Sequence, residues 1–551
     1  MEGAQVRKKP IGVLLQDKGL INDGHIQLAL QDQKVTSEKL GEILERLGFV
    51  SQYDVATTIA DQDKRPYMDV DQVAPDETTL RLFNMTMCLN GNFLPVRREG
   101  DGELLVVSAS DDVDSLERLV NQRTGLRAKI VQGERGKIQN SVQYYYYFLE
   151  NPVEKLIEQE IRLLGADADG VRSMDTFISH LFQLAVKNRA SDVHIRPMDL
   201  TISVAFRVDG VMRSMFSLPL SFKRLITTLK MRADMDIAEQ RLPQDGSFSE
   251  VILNNNYDFR VSTTVCPFGE NVVIRLLPAK GDFMGLQQLG FFEEDIKRLK
   301  QIFNEPFGIV LLTGPTGSGK TTTLYAAVRT LDLTRKHVLT VENPIEYRIP
   351  LIRQTQINDR AGYTFSSAIR FFLRHDPDVI LVGEIRDGET AHTAVSASET
   401  GHLVLSTLHT NTAVGAIPRL RSLDIPSFML SDTLAGVVSQ RLVRRICPTC
   451  KEAYRPSPAE LKYLGDETIE ALYRGKGCEA CHGTGHLGRT LIYEILRPNR
   501  EIRAQIARDE QMDVILKTAK RTGFRDVFAS AVAKVKNGDV SVAEVVRVLG
   551  Y

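Results

Sequence analysis

The sequence predicts a multidomain α/β protein that closes in a parallel, doubly wound sheet. Three observations predict it. The chain has 551 residues, enough for three to four domains at roughly 150 residues each. A helical pattern repeats at an offset of 29 residues near the N-terminus. After Pro278, continuous apolar strands alternate with helical stretches, the mark of a sheet covered on both faces. With 69 Lys+Arg against 70 Asp+Glu, the net charge of −1 argues against a basic nucleic-acid coat and an acidic disordered chain alike. No apolar run approaches the roughly 18 residues of a membrane span, and Met1 to Pro10 is followed by no secretory h-region. The expectation is a cytoplasmic chain whose six cysteines are thiols or metal ligands.

In chain order, the repeat pairs Ile11-Gly12 with Leu40-Gly41, Leu15 with Leu44, Gly19 with Gly48, Ile26 with Val55, and Gln33 with Gln62. Each copy reads as a helix stopped by a Gly at C′, a short apolar turn and a second helix. Pro66 to Val131 reads as a small α/β unit. Gln143 to Gly170, with Tyr144 to Tyr147, a charged helix and the polar stretch Gly165 to Gly170, reads as a connector. A helix over Phe177 to Asn188 then leads to strands at Asp192–Pro197, Ile202–Val208, Tyr257–Val265 and Asn271–Leu277, with a long helix at Phe222–Asp234: an α+β sheet domain.

The chemistry concentrates after that boundary. Gly314-Pro-Thr-Gly-Ser-Gly-Lys-Thr321 fits GxxxxGK[ST], between the apolar strand Ile309–Leu312 and a helix over Thr322–Leu331. The loop Gly314, Pro315, Thr316, Gly317, Ser318, Gly319, with Lys320, Thr321 and Thr322, is expected to curl backbone N–H groups around the phosphates of a nucleoside triphosphate. Lys320 would reach the β- and γ-phosphates, and Thr321 would offer its hydroxyl to Mg²⁺. Three further strands end in polar groups, where strand C-termini line a ligand crevice. Val338–Val341 ends in Glu342. Val379–Val382 ends in Gly383-Glu384, where Asp is usual, and Glu384 can hold Mg²⁺ through a water. Leu403–Thr407 lies between His402 and His409, each readable as a γ-phosphate sensor or as a capping and packing histidine.

Cys447-Pro-Thr-Cys450 and Cys478-Glu-Ala-Cys481 are two CxxC pairs with 27 residues between them. Four thiolates suit a closed structural Zn²⁺ site; a redox pair is the rival reading. His482 reads as a bystander, and Cys88 and Cys266 as small buried residues.

The order of these motifs carries a resemblance. ASDVHIRP (190–197), FRVDG (206–210), IAEQRLPQDG (237–246), the nucleotide loop, TVENPIEY (340–347), DPDVILVGEIRD (376–387), TGHLVLSTLHTN (400–411) and SQRLVRRICPTC (439–450) resemble the secretion ATPase superfamily of type II secretion and type IV pilus assembly, the GspE, PilB and MshE group. The resemblance implies a helical and α/β N-terminal region (1–150, with repeat copies 10–33 and 39–62), a linker (151–172) and a sheet domain (173–283). A RecA-like P-loop motor domain (284–551) follows, including a zinc module at about 446–490.

It further implies a homohexamer in which Arg207, Arg213, Arg260 and Arg275 reach a neighbour's phosphates, Glu342 polarises the attacking water and Glu384 is the metal-side acid. The machine served would be a pilus or a secretion pseudopilus, driven through an inner-membrane platform by a motor peripherally associated with that membrane. Asn343 stands where the family has Asp, and Arg196 where it has an acidic residue. The N-terminal copies resemble the tandem cyclic-di-GMP motif of MshE-type domains at Gly12, Gly19, Gln33, Gly41, Gly48 and Gln62, with Pro10 and Lys39 where the motif prefers Arg. The other reading of this region is a helical module docking on the platform. A nucleic-acid translocase with a RecA-like core is the alternative from another class, disfavoured by the neutral charge and the zero Trp. Retraction motors usually lack the long N-terminal region and the cysteine module.

Overall fold

The computed structural model describes residues 9–100, 102–166, 172–278 and 284–550. It contains two compact units, one of Met1–Lys64 with Phe283–Tyr551, the other of Arg65–Asp282. The segment read as one N-terminal region, 1–150, therefore contributes to both.

In the first unit, α1 (Ile11–Asp17), α2 (Asp23–Gln33), α3 (Leu40–Arg46) and α4 (Gln52–Asp63) repeat their local devices at the sequence offset. Gly19 and Gly48 follow α1 and α3 at φ +66° and +80°, the left-handed geometry that ends a helix. Asn22 and Ser51 cap α2 and α4 by accepting the N–H groups of His25 and Asp54. Gln33 Nε2 donates to Glu38 O (3.1 Å) and Gln62 Nε2 to Lys9 O (2.7 Å), so each terminal Gln holds the carbonyl just before the head of a copy. Leu15, Ala29, Ile43, Leu44 and Val50 form the core of the stack. Asp332 receives it on the parallel-sheet domain: Asn22 Nδ2 donates to its carboxylate at 2.9 Å, and His25 Nε2 lies 3.2 Å from the other oxygen.

The second unit begins with α5 (Glu77–Leu80), α6 (Met85–Gly91), β1 (Phe93–Glu99), β2 (Glu103–Ser108), α7 (Val113–Thr124), β3 (Arg127–Gln132) and α8 (Arg135–Glu150). Strands β1 and β2 are antiparallel, and β3 joins parallel to β2 through the α7 crossover. The tyrosine run lies on α8 as an anchoring face. Tyr144, Tyr145 and Tyr146 donate to the carbonyls of Lys187, Val73 and Leu80 at 2.7, 2.9 and 2.9 Å. Cys88 is buried beside Tyr146, and burial pushes its thiol up to about 12. In the stretch read as a linker, 151–172, the structure has α9 (Val153–Gly165), whose Val153, Ile157 and Leu164 enter the core of the sheet domain. Their spacing puts them on one helical face, which the intervening charges obscured. Residues 1–8, the polar stretch 167–171 and the boundary 279–283 lie outside the described residues.

Next come α10 (Asp175–Lys187), β4 (Ala190–Pro197), β5 (Thr201–Val208), β6 (Val211–Pro219), α11 (Arg224–Arg232), β7 (Gln244–Ile252), β8 (Asn255–Cys266) and β9 (Gly269–Pro278). The six strands form an antiparallel sheet in the order β6-β5-β4-β9-β8-β7. Phe177, Phe182, Phe206 and Phe222 pack one face against the helices.

The parallel-sheet domain comprises α12 (Glu293–Phe303), β10 (Gly308–Thr313), α13 (Lys320–Val328), β11 (Val338–Glu342), β12 (Arg353–Gln356), α14 (Phe365–Phe372), β13 (Val379–Val382), α15 (Gly388–Glu399), β14 (Leu403–Leu408), α16 (Ala416–Arg421), α17 (Ser427–Thr433) and β15 (Leu434–Ile446). Then follow β16 (Lys451–Tyr454), α18 (Pro458–Leu464), β17 (Leu472–Gly475), β18 (His486–Leu496), α19 (Arg500–Ala507), α20 (Met512–Arg521), α21 (Val527–Lys536) and α22 (Val542–Leu549). The seven-stranded order is β12-β11-β13-β14-β10-β15-β18, parallel except for β18 against β15. All six residues of β10 are buried, as expected for a strand covered on both faces. The parallel register brings the C-terminal ends of β10, β11, β13 and β14 to one edge.

Candidate active site and metal centre

The nucleotide loop sits at that edge between β10 and α13, and the structure starts the helix at Lys320, two residues before the sequence expectation. Gly314 is required where it stands: at φ +138° a Cβ would lie 2.3 Å from Gln440 O and 2.8 Å from Ser318 Oγ. Gln440, fully buried on β15, donates from Nε2 to Ser318 O at 2.8 Å and so supports the loop from the neighbouring strand. Lys320 Nζ donates to Gly314 O and Pro315 O at 2.9 and 3.2 Å. Burial lowers its pKa, against the opposing pull of Glu384. Thr321 and Thr322 form the first turn of α13, whose N–H groups and positive dipole end face the loop.

Gly383 explains the Gly-Glu ending of β13, since a Cβ there would press on Val341 O at 3.3 Å and Glu342 Cα at 3.4 Å. The acid therefore comes one residue later. Glu384 accepts from Arg386 at 2.6 Å, and one of its oxygens is 3.8 Å from His409 Nε2. Burial lowers the His409 pKa, helped by Lys320 and Arg386 and opposed by Glu384. Lys320, Glu384 and His409 thus form one electrostatic cluster.

Two other candidates are placed differently. Glu342 ends β11 and is 3 % exposed, with its carboxylate taken by Tyr325 Oη, Thr340 Oγ1 (2.6 Å) and Gln354 Nε2 (3.1 Å). His402 does not join the cluster. It precedes the start of β14, which pairs there with Gly308, at the opposite end of the strand from the loop. Its Nδ1 lies 2.9 Å from Ala397 O and 3.1 Å from Thr400 Oγ1, which makes it a helix-end histidine.

In the second unit, the register aligns Met212, Arg207, Asp192, Arg275, Arg260 and Ser247 in one row across all six strands. Arg275 Nε donates to Asp192 at 2.9 Å, and Arg207 Nε lies 3.8 Å from the same carboxylate. A cavity of about 540 Å³ on this face is lined by Asp192, Asp245, Arg260 and Arg275. Arg213 does not share the row. It pairs with Phe206 and belongs to the other, helix-covered face, because cross-strand partners point to the same side.

Cys447, Cys450, Cys478 and Cys481 lie between β15 and β18, with all four Sγ atoms within 4.8 Å of one another. The contacts Cys447–Cys478, Cys450–Cys481 and Cys478–Cys481 span 3.8, 3.9 and 3.7 Å. Zn–S bonds of about 2.3 Å in a tetrahedron place sulfurs about 3.8 Å apart, so the residues fit the ion. Burial works to raise the Cys481 thiol, but N–H donors from Cys478 and Gly485, each at 3.2 Å, hold it down to about 7. His482 caps the adjoining turn at φ +47°.

Sequence reading passed over Tyr325, Gln440 and Glu494. For Glu494 the signal was a single acidic residue inside an apolar strand; Gln440, between Ser439 and Arg441, carried none.

A parallel RecA-like sheet with this loop, lysine and strand-end acid defines a P-loop ATPase. Residues 167–547 match the family of Type II/IV secretion system proteins, and residues 64–151 match the MshEN domain. The chain is 35% identical over 573 residues to the Type II secretion system protein E of Xanthomonas campestris pv. campestris, covering 100% of this chain and 99% of that one. To the type IV pilus assembly ATPase PilB of Thermus thermophilus it is 36% identical over 523 residues, 92% of this chain but 58% of the longer relative. The Legionella pneumophila ATPase DotB shares the fold with a TM-score of 0.53 and 20% identity, over 69% of this chain and 96% of that one. The chain belongs to the Type II/IV secretion system protein family.

Proposed function

We propose that this chain is the motor of a hexameric ring that converts ATP hydrolysis into movement of an inner-membrane platform, assembling a pilus or a type II secretion pseudopilus. The observation that carries the reading is the Lys320, Glu384 and His409 cluster at the C-terminal edge of the parallel sheet, with the Arg207, Arg260 and Arg275 row on a separate unit. The loop would hold ATP, and Thr321 and Glu384 would hold Mg²⁺, which would neutralise charge on the phosphates. His409 meets the γ-phosphate side. The arginines add cations to a neighbouring copy's phosphates, a contribution worth roughly 10³–10⁵ in rate in comparable enzymes. Glu342 keeps the water-activating role as a proposal, one that requires it to leave the Tyr325 bond. The four cysteines hold Zn²⁺, which fixes the module at the end of β15.

Among the described residues no helix is long and apolar enough to cross a membrane. Light scattering of the full chain with ATP tests the ring: six copies are expected, and a fully active monomer overturns it. DNA-stimulated, salt-sensitive hydrolysis would favour a nucleic-acid translocase instead.

The repeat supports a second, regulatory reading in which cyclic-di-GMP binds through Gly12, Gln33, Lys39, Gly41 and Gln62; the MshEN match, over residues 64–151, adjoins these residues without including them. Gln33 and Gln62 now serve backbone carbonyls, and a Cβ on Gly12 would lie 3.0 Å from Leu40, so both pairs also close the helical stack. Calorimetry of cyclic-di-GMP with the full chain decides it; no heat at high concentration leaves the helical docking module.

A further inference from the structure

Glu494 lies in β18 within the apolar run Leu491-Ile492-Tyr493-Glu494-Ile495-Leu496 and is 3 % exposed. A carboxylate in such a place is costly unless its oxygens are bonded. One oxygen accepts the N–H of Ala413 and the other that of Val527, the latter at 3.2 Å. Ala413 stands four residues after His409, and Val527 is the first residue of α21. Ser439, the cross-strand partner of Glu494 on β15, donates from Oγ to Asn411 O at 3.4 Å. The segment that follows His409 is therefore held at two points by a pair of strands lying beyond β10.

We propose that Glu494 is a positioning residue for ATP hydrolysis, tying the His409 loop to the first turn of α21 so that His409 keeps its place beside Glu384. It rests on the reading of His409 given above. A carboxylate suits this work because it accepts one backbone donor through each of two oxygens, whereas an amide replaces one of those oxygens with a donor. Burial raises its pKa, and the Ala413 and Val527 N–H groups oppose that rise.

The test is steady-state ATP hydrolysis by the full-length protein carrying Glu494→Gln, which keeps the volume but turns an N–H₂ donor toward one of the two N–H groups. The expected result is a fall in kcat of about 10- to 100-fold. KM for ATP should stay within about twofold, the pattern of a lost transition-state interaction, while the folded variant unfolds at a somewhat lower temperature because one buried N–H has lost its acceptor. Unchanged kcat, or kcat and KM for ATP shifted together, overturns the proposal. His409→Ala is measured in parallel. Loss of turnover there without loss in Glu494→Gln sinks the positioning role alone, whereas full activity of His409→Ala sinks the reading beneath it. Should Glu494→Gln not fold, Val527→Pro removes the second donor at a helix position where proline fits. That variant is expected to lower kcat and speed hydrogen exchange at the Ala413 amide; no change in both overturns the tie.

Discussion

His409 Nε2 lies 3.8 Å from a carboxylate oxygen of Glu384, and the two residues follow the ends of neighbouring parallel strands. Burial holds the histidine below its ordinary pKa, with Lys320 adding to the effect and Glu384 working against it. The imidazole is thus neutral at pH 7 and gains its proton only below the usual value of about 6.5. By NMR titration His409 is expected to titrate below that value, and lower still in Glu384→Gln, where the opposing charge is gone. A shift upward in that variant would contradict the geometry. Turnover in His409→Ala should fall by about 100-fold, in the range for a group acting on the reacting phosphate.

Gly314→Ala places a methyl group against Gln440 O in a backbone conformation that L-residues rarely adopt. Folding should survive, because the clash is local to the loop. Nucleotide binding should weaken by at least about 10-fold, read as the affinity for a fluorescent ATP analogue. Lys320→Ala should bind the analogue but lose turnover; intact turnover would remove the nucleotide site from this loop.

Metal analysis should return one zinc per chain, and less than half of that in a Cys447→Ser, Cys478→Ser double variant. That variant should also unfold at lower temperature, since binding energy of a structural ion is folding energy. An unchanged zinc content would place the metal elsewhere.

Glu544 on α22 accepts from Arg444 of β15 at 2.7 Å and from Arg547 at 2.6 Å while its side chain is fully buried. Burial acts to raise its pKa, but the bonds from Arg547 and Arg444 win and hold it at about 2. With the folded value depressed, this stability is present above about pH 4.5 and is lost as pH falls toward 2. Glu544→Gln should destabilise the protein by about 3 kcal/mol at pH 7 in denaturant titrations, with the difference vanishing near pH 2. A constant difference across that range would refute the assignment.

The nucleotide loop, the strand-end acid Glu384 and the two CxxC pairs were legible because each depends on residue types at short, fixed spacing. The 29-residue repeat was legible for the same reason, and its caps at Asn22 and Ser51 recur at the same offset. Which side chains meet across strands was not legible, because sheet order and register follow from packing over the whole chain. Only the register put Arg207, Arg275 and Arg260 in one row and turned Arg213 to the other face. Only the parallel sheet sent His402 and His409 to opposite ends of β14. The charged helix of the connector is α9; that Val153, Ile157 and Leu164 on it are buried was not legible, because burial needs a partner surface that local sequence does not reveal. The sequence by itself determined the chemistry available to this protein, and the tertiary structure decided which of those groups share a site.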